Sequence, residues 1–193
     1  SKARKRAAMD LQAAVHKELP DLKLGAARFI VEHKIDENRI SPEGFDQIAF
    51  EVQTNPSTRA GPMLKVASGG ELSRFLLALK VVLADRGSAP VLIFDEIDSG
   101  VGGAVSDAIG RRLSRLAKKV QVLCVTHAPQ VAARARQHLL IEKRAKDDGA
   151  SMHTHVRLLD EDERGEEIAR MLAGASVSDE ARAAAKRLIS EVG

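Results

Sequence analysis

Two short apolar segments, residues 89–94 and 120–126, constrain the fold of this chain more than any other feature. Neither segment alternates apolar with polar side chains, so each is typical of a strand that is covered on both faces. Helix-like patterns over residues 68–83 and 103–119 precede and separate them. Helices that alternate with apolar strands predict an α/β fold, in which a parallel sheet is flanked by helices.

The flanking segments carry their own local patterns. Leu11, Val15 and Leu19 lie four residues apart in an alanine-rich stretch. This spacing predicts a helix over residues 1–19, which Pro20 ends. The other expected elements are strands at 29–35 and 48–52 around a turn at 38–44, a loop at 54–62, a helix at 129–137, strands at 138–142 and 152–159 around a polar loop at 144–149, and helices at 163–172 and 178–192.

Composition narrows the class of protein. The 193 residues are 44% hydrophobic and 30% charged, which is typical of a soluble globular chain. No apolar run approaches the ~18 residues that a membrane helix needs. The single cysteine, Cys124, cannot form an internal disulfide, which favours a reducing cytoplasm. The net charge is only +3 and aromatic residues make up 3%, which argues against a base-stacking surface for nucleic acid.

The sequence Ser68-Gly69-Gly70-Glu71 begins the first helix of the α/β region. Ser68 fits an N-cap and Glu71 completes a capping box, so a structural role is sufficient for these two residues. Capping does not explain the two glycines, because glycine lowers helix stability. Bare N–H groups at the positive end of a helix dipole bind phosphate, so a structural cap and a phosphate site both stay open.

A pair of carboxylates, Asp95 and Glu96, follows the first apolar strand. Ligands of parallel α/β sheets bind beyond the carboxyl ends of the strands. Asp95 therefore fits a Mg²⁺ ligand, and Glu96 fits a group that orients or deprotonates a water. The alternative is a strand that leaves the core into a polar turn. Residues 98–103, with three glycines, form either a plain loop or a backbone that approaches a ligand or partner closely.

A histidine, His127, follows the second apolar strand and precedes Pro129. It fits a contact to a phosphate oxygen or to a catalytic water, although a capping or surface role is commoner for a lone histidine. The interval from Asp95 to His127 has room for one helix and one strand. Both residues are therefore expected at the same edge of the sheet.

Three segments together resemble the C-terminal half of an ATP-binding-cassette head of the SMC type, and most closely the RecN family of bacterial DNA-repair proteins. The resemblance is carried by KVASGGELSR at 65–74, FDEIDSGVGG at 94–103 and VTHAPQVA at 125–132. It extends to Asn55-Pro56 and to EEIARML at 166–172, so it covers most of the chain. The glycines within 99–103 point to RecN more than to other SMC-like heads.

The resemblance implies an ATPase that uses ATP and Mg²⁺ and acts in the repair of DNA double-strand breaks by recombination. It implies that residues 68–71 are the signature motif, which contacts the γ-phosphate of ATP held by another subunit. The implied roles of the other site residues are Mg²⁺ binding for Asp95, water activation for Glu96, γ-phosphate sensing for His127, and a D-loop across the head dimer for Asp98 and Ser99. Residues 1–20 would end a coiled-coil arm, and residues 21–193 would form the half-head.

The chain contains no G-x-x-x-x-G-K-[ST] sequence, the loop that cradles phosphates in such ATPases. In the family this loop lies in an N-terminal half of the head, before the coiled coil. We therefore expect half of an active site, which is inactive as an ATPase by itself. The expected partners are that N-terminal half, a second head in an ATP-dependent homodimer, and DNA, without a membrane. The expected location is the cytoplasm, in association with the nucleoid.

Two other functions stay open: a non-catalytic DNA-binding or dimerisation module with vestigial nucleotide residues, and the head of another SMC-family protein. Outside the site, we interpret Cys124 as a small apolar core residue, and we expect no metal site at His153 and His155. A solvated helix face, with contact to DNA as the alternative, is expected for Arg111, Arg112, Arg115, Lys118 and Lys119, and similarly for Arg134 and Arg136.

Overall fold

The computed structural model describes residues 1–38, 42, 44–84, 89–145, 152–174 and 176–191. The chain divides into two compact units, Ser1–Val125 and Thr126–Gly193. The turn expected at 38–44 and the polar loop expected at 144–149 lie largely outside the described residues. Among the helices of the described ranges, none combines the length and the apolar character that crossing a membrane requires.

The first unit contains the α/β region. Its α-helices are α1 (Lys2–Glu18), α2 (Met63–Val66), α3 (Gly69–Val82) and α4 (Gly103–Ala117), and a 3₁₀ turn at Pro20–Leu22 follows α1. Its strands are β1 (Arg28–Ile35), β2 (Asp46–Gln53), β3 (Gly61–Pro62), β4 (Val91–Asp95) and β5 (Gln121–Val125). The helix α1 ends before Pro20, as predicted. The segment expected to be a loop at 54–62 includes β3, because Gly61 and Pro62 pair with β2.

An antiparallel sheet in the order β1-β2-β3 is joined to α1 by side-chain hydrogen bonds. Phe29 on β1 pairs with Val52 on β2, and both side chains are fully buried. The backbone N–H of Phe29 donates to Nε2 of His16 (3.0 Å), and that of Val31 donates to Oε1 of Gln12 (3.2 Å). Because an unpaired strand edge invites pairing with another chain, these two side chains of α1 protect the edge of β1.

The strands β4 and β5 form the predicted parallel pair, with Asp95 opposite Val125 at its carboxyl end. Phe94 is buried, but Ile93 is 71% exposed and Val125 is 51% exposed. The prediction that both faces of these strands are covered is therefore wrong for the described chain. The physical reason is that α4 packs against β5 and leaves the face of Ile93 and Val125 open.

A buried arginine ties α4 to the end of α1. Arg112 is 7% exposed. Its Nε donates to Oε2 of Glu18 (2.8 Å), and its Nη2 donates to Oδ2 of Asp21 (3.0 Å). Arg115 also donates to Glu18 (2.8 Å). The prediction of a solvated helix face is therefore wrong for Arg112, because two carboxylates from the region of α1 hold its guanidinium inside.

The second unit consists of an antiparallel hairpin and three helices in its described residues. Its strands are β6 (Leu139–Ala145) and β7 (Met152–Leu158), and its helices are α5 (Pro129–Ala132), α6 (Glu161–Ala173) and α7 (Asp179–Ser190). The core of this unit consists of Ala132, Ala133, Ile168, Ala169 and Ala185. The small side chains of Ala169 on α6 and Ala185 on α7 allow these two helices to pack closely.

Two elements of the second unit differ from the prediction. The helix expected at 129–137 is a single turn, because the amides of Arg134 and Ala135 bond to carbonyls three residues back and end it. The strand β6 continues to Ala145 and so enters the segment expected to be a polar loop. Pairing with β7 accounts for this extension, since Ala145 lies opposite Met152.

Candidate functional site

The start of α3 has the capping box that the sequence predicts. Oγ of Ser68 accepts a hydrogen bond from the N–H of Glu71 (3.4 Å). Oε2 of Glu71 accepts from both the N–H and the hydroxyl of Ser68, each at 3.0 Å. Such a cap stabilises a helix by about 1 kcal/mol, so these two residues have a structural role whatever else they do.

The two glycines at this helix start have different surroundings. A Cβ at Gly69 would meet nothing within 4 Å, so the space beside this residue is open. A Cβ at Gly70 would lie 3.2 Å from Nη1 of Arg74 and 3.5 Å from the carbonyl oxygen of Ser99. At Gly70 the first turn of α3 therefore lies next to the loop that follows β4, and the tighter neighbour of this residue is the guanidinium of Arg74. The structure thus brings together residues from two of the predicted motifs.

The acidic pair lies at the carboxyl end of β4, where the sequence places it. Asp95 is the last residue of the strand, and both Asp95 and Glu96 are exposed. Glu96 has a φ of +49°, and its carbonyl accepts from the N–H of Ser99 (3.0 Å). A positive φ costs a non-glycine residue about 1–2 kcal/mol. The backbone strain of this loop is therefore located at the residue that is predicted to be catalytic.

The next residues of the loop divide between interior and surface. Asp98 is 2% exposed, whereas Ser99 and Gly100 are exposed. Gly100 has a φ of +69°, a conformation that favours glycine. Of the two residues predicted to form the D-loop, only Ser99 is exposed in this conformation, because the side chain of Asp98 is turned inward.

Cys124 on β5 is half-buried rather than a core residue. Burial, together with the smaller effect of the charges of Asp98 and Asp95, raises the pKa of its thiol to about 12. A thiol with so high a pKa is a poor nucleophile near neutral pH. The effect of Asp95 and Asp98 shows that Cys124 lies near the acidic loop. The raised pKa of the thiol argues against a role as a nucleophile.

His127 is exposed and belongs to the second unit. The hydroxyl of Thr126 accepts a hydrogen bond from the N–H of Ala128 (3.0 Å), which forms a tight turn around the histidine. Pro129 then starts α5. The predicted neighbourhood of His127 and Asp95 involves both compact units, and it stays a prediction.

The residues at the start of α3 and the end of β4 fit a phosphate and a Mg²⁺ in chemical type. Bare amides at a helix start suit an anion, and the carboxylates of Asp95 and Glu96 are the oxygen ligands that Mg²⁺ prefers. No group of three His, Cys, Asp or Glu residues forms a metal cage within the described ranges. Asp95 would therefore supply one ligand to a cation whose other ligands are waters and phosphate oxygens.

One residue of interest, Arg74, has no role in the sequence-based prediction. It is 6% exposed, and its Nε and Nη1 are buried with no hydrogen-bond partner in the described chain. Burial lowers the pKa of this guanidinium, and the charge of Glu71 raises it. The available signal was a basic residue within an apolar helix segment, directly before Phe75.

The chain is similar to known DNA-repair proteins over almost its whole length. It is 42% identical over 191 residues to the DNA repair protein RecN of Xylella fastidiosa, which is 98% of this chain and 34% of that protein. It is 43% identical over 182 residues to RecN of Rickettsia conorii, which is 94% of this chain and 33% of that protein. The chain thus spans about one third of the length of these relatives. No protein-family model matches it.

Solved structures with a similar fold are SMC heads. The Smc head domain with a coiled coil and joint from Pyrococcus yayanosii matches with a TM-score of 0.60 and 17% identity. The match covers 86% of this chain and 29% of the Smc chain. A chain from work on ATP-driven dimerization and DNA-stimulated activation of SMC ATPases matches with a TM-score of 0.53 and 17% identity. This match covers 91% of the present chain and 99% of the solved one. These similarities confirm the predicted fold class and the resemblance to RecN.

Proposed function

We propose that this chain, which is homologous over almost its whole length to one third of the RecN proteins, is the half of an ATPase head that carries the signature motif and the acidic pair. The observation that carries the proposal is the approach of Gly70 to the carbonyl of Ser99. Within one compact unit, it brings an open helix N-terminus close to the acidic loop. An ATPase needs a phosphate-binding and a metal-binding element next to each other.

Each predicted site residue has a defined part in this proposal. Residues 68–71 bind the γ-phosphate of an ATP molecule held by another head, through backbone amides at the positive end of the α3 dipole. Asp95 binds Mg²⁺, which when present neutralises charge on the phosphate oxygens. Glu96 orients the attacking water and accepts its proton. Asp98 and Ser99 form the D-loop, and His127 contacts the γ-phosphate.

The first expected partner is the N-terminal half of the same head, which supplies the phosphate-cradling loop. The open face of the parallel strands supports this partner, because Ile93 and Val125 are more than half exposed there. An apolar sheet face is stable in water only when another layer covers it. A second head completes the ATP site in a homodimer, at the end of a coiled-coil arm that includes residues 1–20.

The proposed task of the complete protein is the repair of DNA double-strand breaks by recombination, in the cytoplasm and at the nucleoid. The support is that the relatives are DNA repair proteins and that a solved neighbour concerns DNA-stimulated SMC ATPases. DNA is the proposed ligand, and engagement of two heads by ATP is the proposed control of its binding.

The test is ATP hydrolysis by the full-length protein with Glu96→Gln. We expect turnover to fall by about 10²–10⁴-fold, because the water loses its base, while ATP-dependent association of heads is retained. Glu32→Gln is the matched control, since this half-buried carboxylate on β1 pairs only with Lys34 (2.8 Å) in the described chain, and turnover should not change.

Unchanged turnover in Glu96→Gln would contradict the assignment. A wild-type protein that binds DNA in a salt-dependent manner, but neither binds nor hydrolyses ATP, would instead support a non-catalytic DNA-binding module.

A further inference from the structure

The gating of the phosphate site can be inferred from two side chains on the first turns of α3. Glu71 is the carboxylate of the capping box, and Arg74 lies three residues further along the same helix. Residues three apart on a helix are neighbours, so their side chains can meet. No ion pair joins them in this conformation, and among the described residues Arg74 has no hydrogen-bond partner for Nε and Nη1.

The Glu71 carboxylate occupies donors that a phosphate would need. Its Oε2 is 3.0 Å from both the backbone N and the hydroxyl of Ser68. A phosphate at this helix start would compete for the same hydroxyl, and its negative charge would repel the carboxylate. The cap in its present form and a bound phosphate are therefore in competition.

Once displaced from Ser68, the Glu71 carboxylate can pair with the Arg74 guanidinium, whose Nε and Nη1 have no partner in the described chain. A charge that is more than nine-tenths buried is unfavourable without a partner, and a carboxylate would satisfy it. The same chain contains a closed pair with the same spacing on α6. There Glu167 accepts two hydrogen bonds from Arg170, at 2.6 and 2.7 Å. The geometry that Glu71 and Arg74 would adopt is therefore one that this chain already forms.

We propose that Glu71 is a gate of the phosphate site, closed on Ser68 without nucleotide and turned to Arg74 when a phosphate binds at the start of α3. This proposal rests on the proposed function, because it needs a nucleotide at the signature motif. Arg74 is then a positioning residue, which acts by holding Glu71 away from the phosphate.

The experiment is a double-mutant cycle in the full-length protein, with Glu71→Gln, Arg74→Met and the double variant. The measured quantity is head association induced by a non-hydrolysable ATP analogue. We expect Arg74→Met to weaken association about tenfold, because Glu71 loses its open position. In the wild-type background, Glu71→Gln should weaken association, because glutamine cannot form the ion pair with Arg74 that stabilises the open position. In the Arg74→Met background that ion pair is already absent. There Glu71→Gln should strengthen association, because it removes the repulsion between the carboxylate and the phosphate. Glutamine can keep the cap, so the helix itself is preserved.

This reversal of sign is the result that a merely structural role does not produce. An equal effect of Glu71→Gln in both backgrounds overturns the gate and indicates that Arg74 pairs with a group in the rest of the protein. Arg74→Lys keeps a buried positive charge that can pair with Glu71. In that background, Glu71→Gln should therefore weaken association as it does in wild type. This variant separates the loss of the charge from a folding defect in Arg74→Met. The matched control is the cycle of Glu167→Gln and Arg170→Met, whose pair is already closed and should not respond to the analogue.

The failure of the gate and the failure of the proposed function are distinguishable. If the wild-type protein does not associate with the analogue, the proposed function fails, and the gate fails with it. If the wild-type protein associates but Glu71→Gln acts alike in both backgrounds, the gate alone is wrong.

Discussion

Two helices of this chain, α3 and α6, begin with the same capping box but in different settings. In α3, Ser68 and Glu71 form the box. In α6, Oδ1 of Asp160 accepts from the N–H of Glu163 (2.8 Å), and Oε2 of Glu163 accepts from the N–H of Asp160 (3.1 Å). The two residues between cap and box partner are both glycines in α3 and both acids in α6.

The difference between the two helix starts teaches that a cap does not by itself define a site. The first turn of α6 carries three acidic side chains, which satisfy the helix dipole and repel an anion. One of them, Glu163, also pairs with Arg157 (2.6 Å). The first turn of α3 carries one acid and open space beside Gly69. The same local device is therefore structural in α6, and in α3 it also leaves an open, positive helix end.

The largest expected effect comes from exchanging the first helical residues. Gly69→Glu gives α3 the residue that α6 has at this position, Glu161. We expect ATP hydrolysis by the full-length protein to fall at least about tenfold, because a carboxylate then stands where phosphate binds. Stability should rise by about 1 kcal/mol, since glycine is lost from the helix and the dipole gains a favourable charge.

The reverse exchange, Glu161→Gly, is the control for that prediction. It should lower stability by about 1 kcal/mol and leave hydrolysis unchanged. Turnover in Gly69→Glu close to wild type, measured beside its denaturation curve, would show that the two helix starts do not differ in function.

Removal of the two caps should have a smaller effect that separates stability from activity. Ser68→Ala and Asp160→Ala each cost about 1 kcal/mol in the free energy of unfolding, because each leaves a backbone N–H at the helix start without its acceptor. Only Ser68→Ala should also lower ATP turnover, since its hydroxyl is a proposed phosphate donor. Urea denaturation and steady-state hydrolysis of both variants provide the measurement. Equal turnover in the two variants would mean that Ser68 is only a cap.

Features that depend on a few neighbouring residues could be predicted from the sequence. The capping box, the parallel strand pair, and the acidic residues at the end of β4 are all where their local patterns put them. The fold class therefore agrees with the sequence-based prediction, whereas β3 and α2 lie where the sequence predicts no strand or helix.

Features that depend on distant partners could not be predicted. Arg112 is buried because Glu18 and Asp21, far earlier in the chain, accept its hydrogen bonds. The open face of Ile93 could not be foreseen, because cover depends on which layer packs there. The strained backbone of Glu96 and the approach of Gly70 to the loop after β4 likewise depend on how the chain folds back, which spacing alone does not specify.

The smallest expected effect concerns the two Glu–Arg pairs with the same spacing. The hydrogen bond from Arg170 lowers the pKa of the Glu167 carboxyl below its ordinary value of 4.5, although burial opposes this. The pair therefore stabilises the chain above that pH and loses its contribution as pH falls through the lowered pKa. At pH 7 the free energy of unfolding of wild type should exceed that of Glu167→Gln by about 0.5 kcal/mol. This difference should vanish in strong acid, where the Glu167 carboxyl is protonated.

The corresponding arginine variants sharpen the contrast between the two helices. Arg170→Met removes a closed pair and should lower the free energy of unfolding at pH 7 by about 0.5 kcal/mol. Arg74→Met removes a buried charge that has no ion-pair partner in the described chain, so it should not lower stability and should raise it where methionine fits the space. Denaturation of both variants without nucleotide measures the two signs. A loss in Arg74→Met as large as that in Arg170→Met would mean that the arginine of α3 is already paired at rest, and that the two helices hold their charges in the same way.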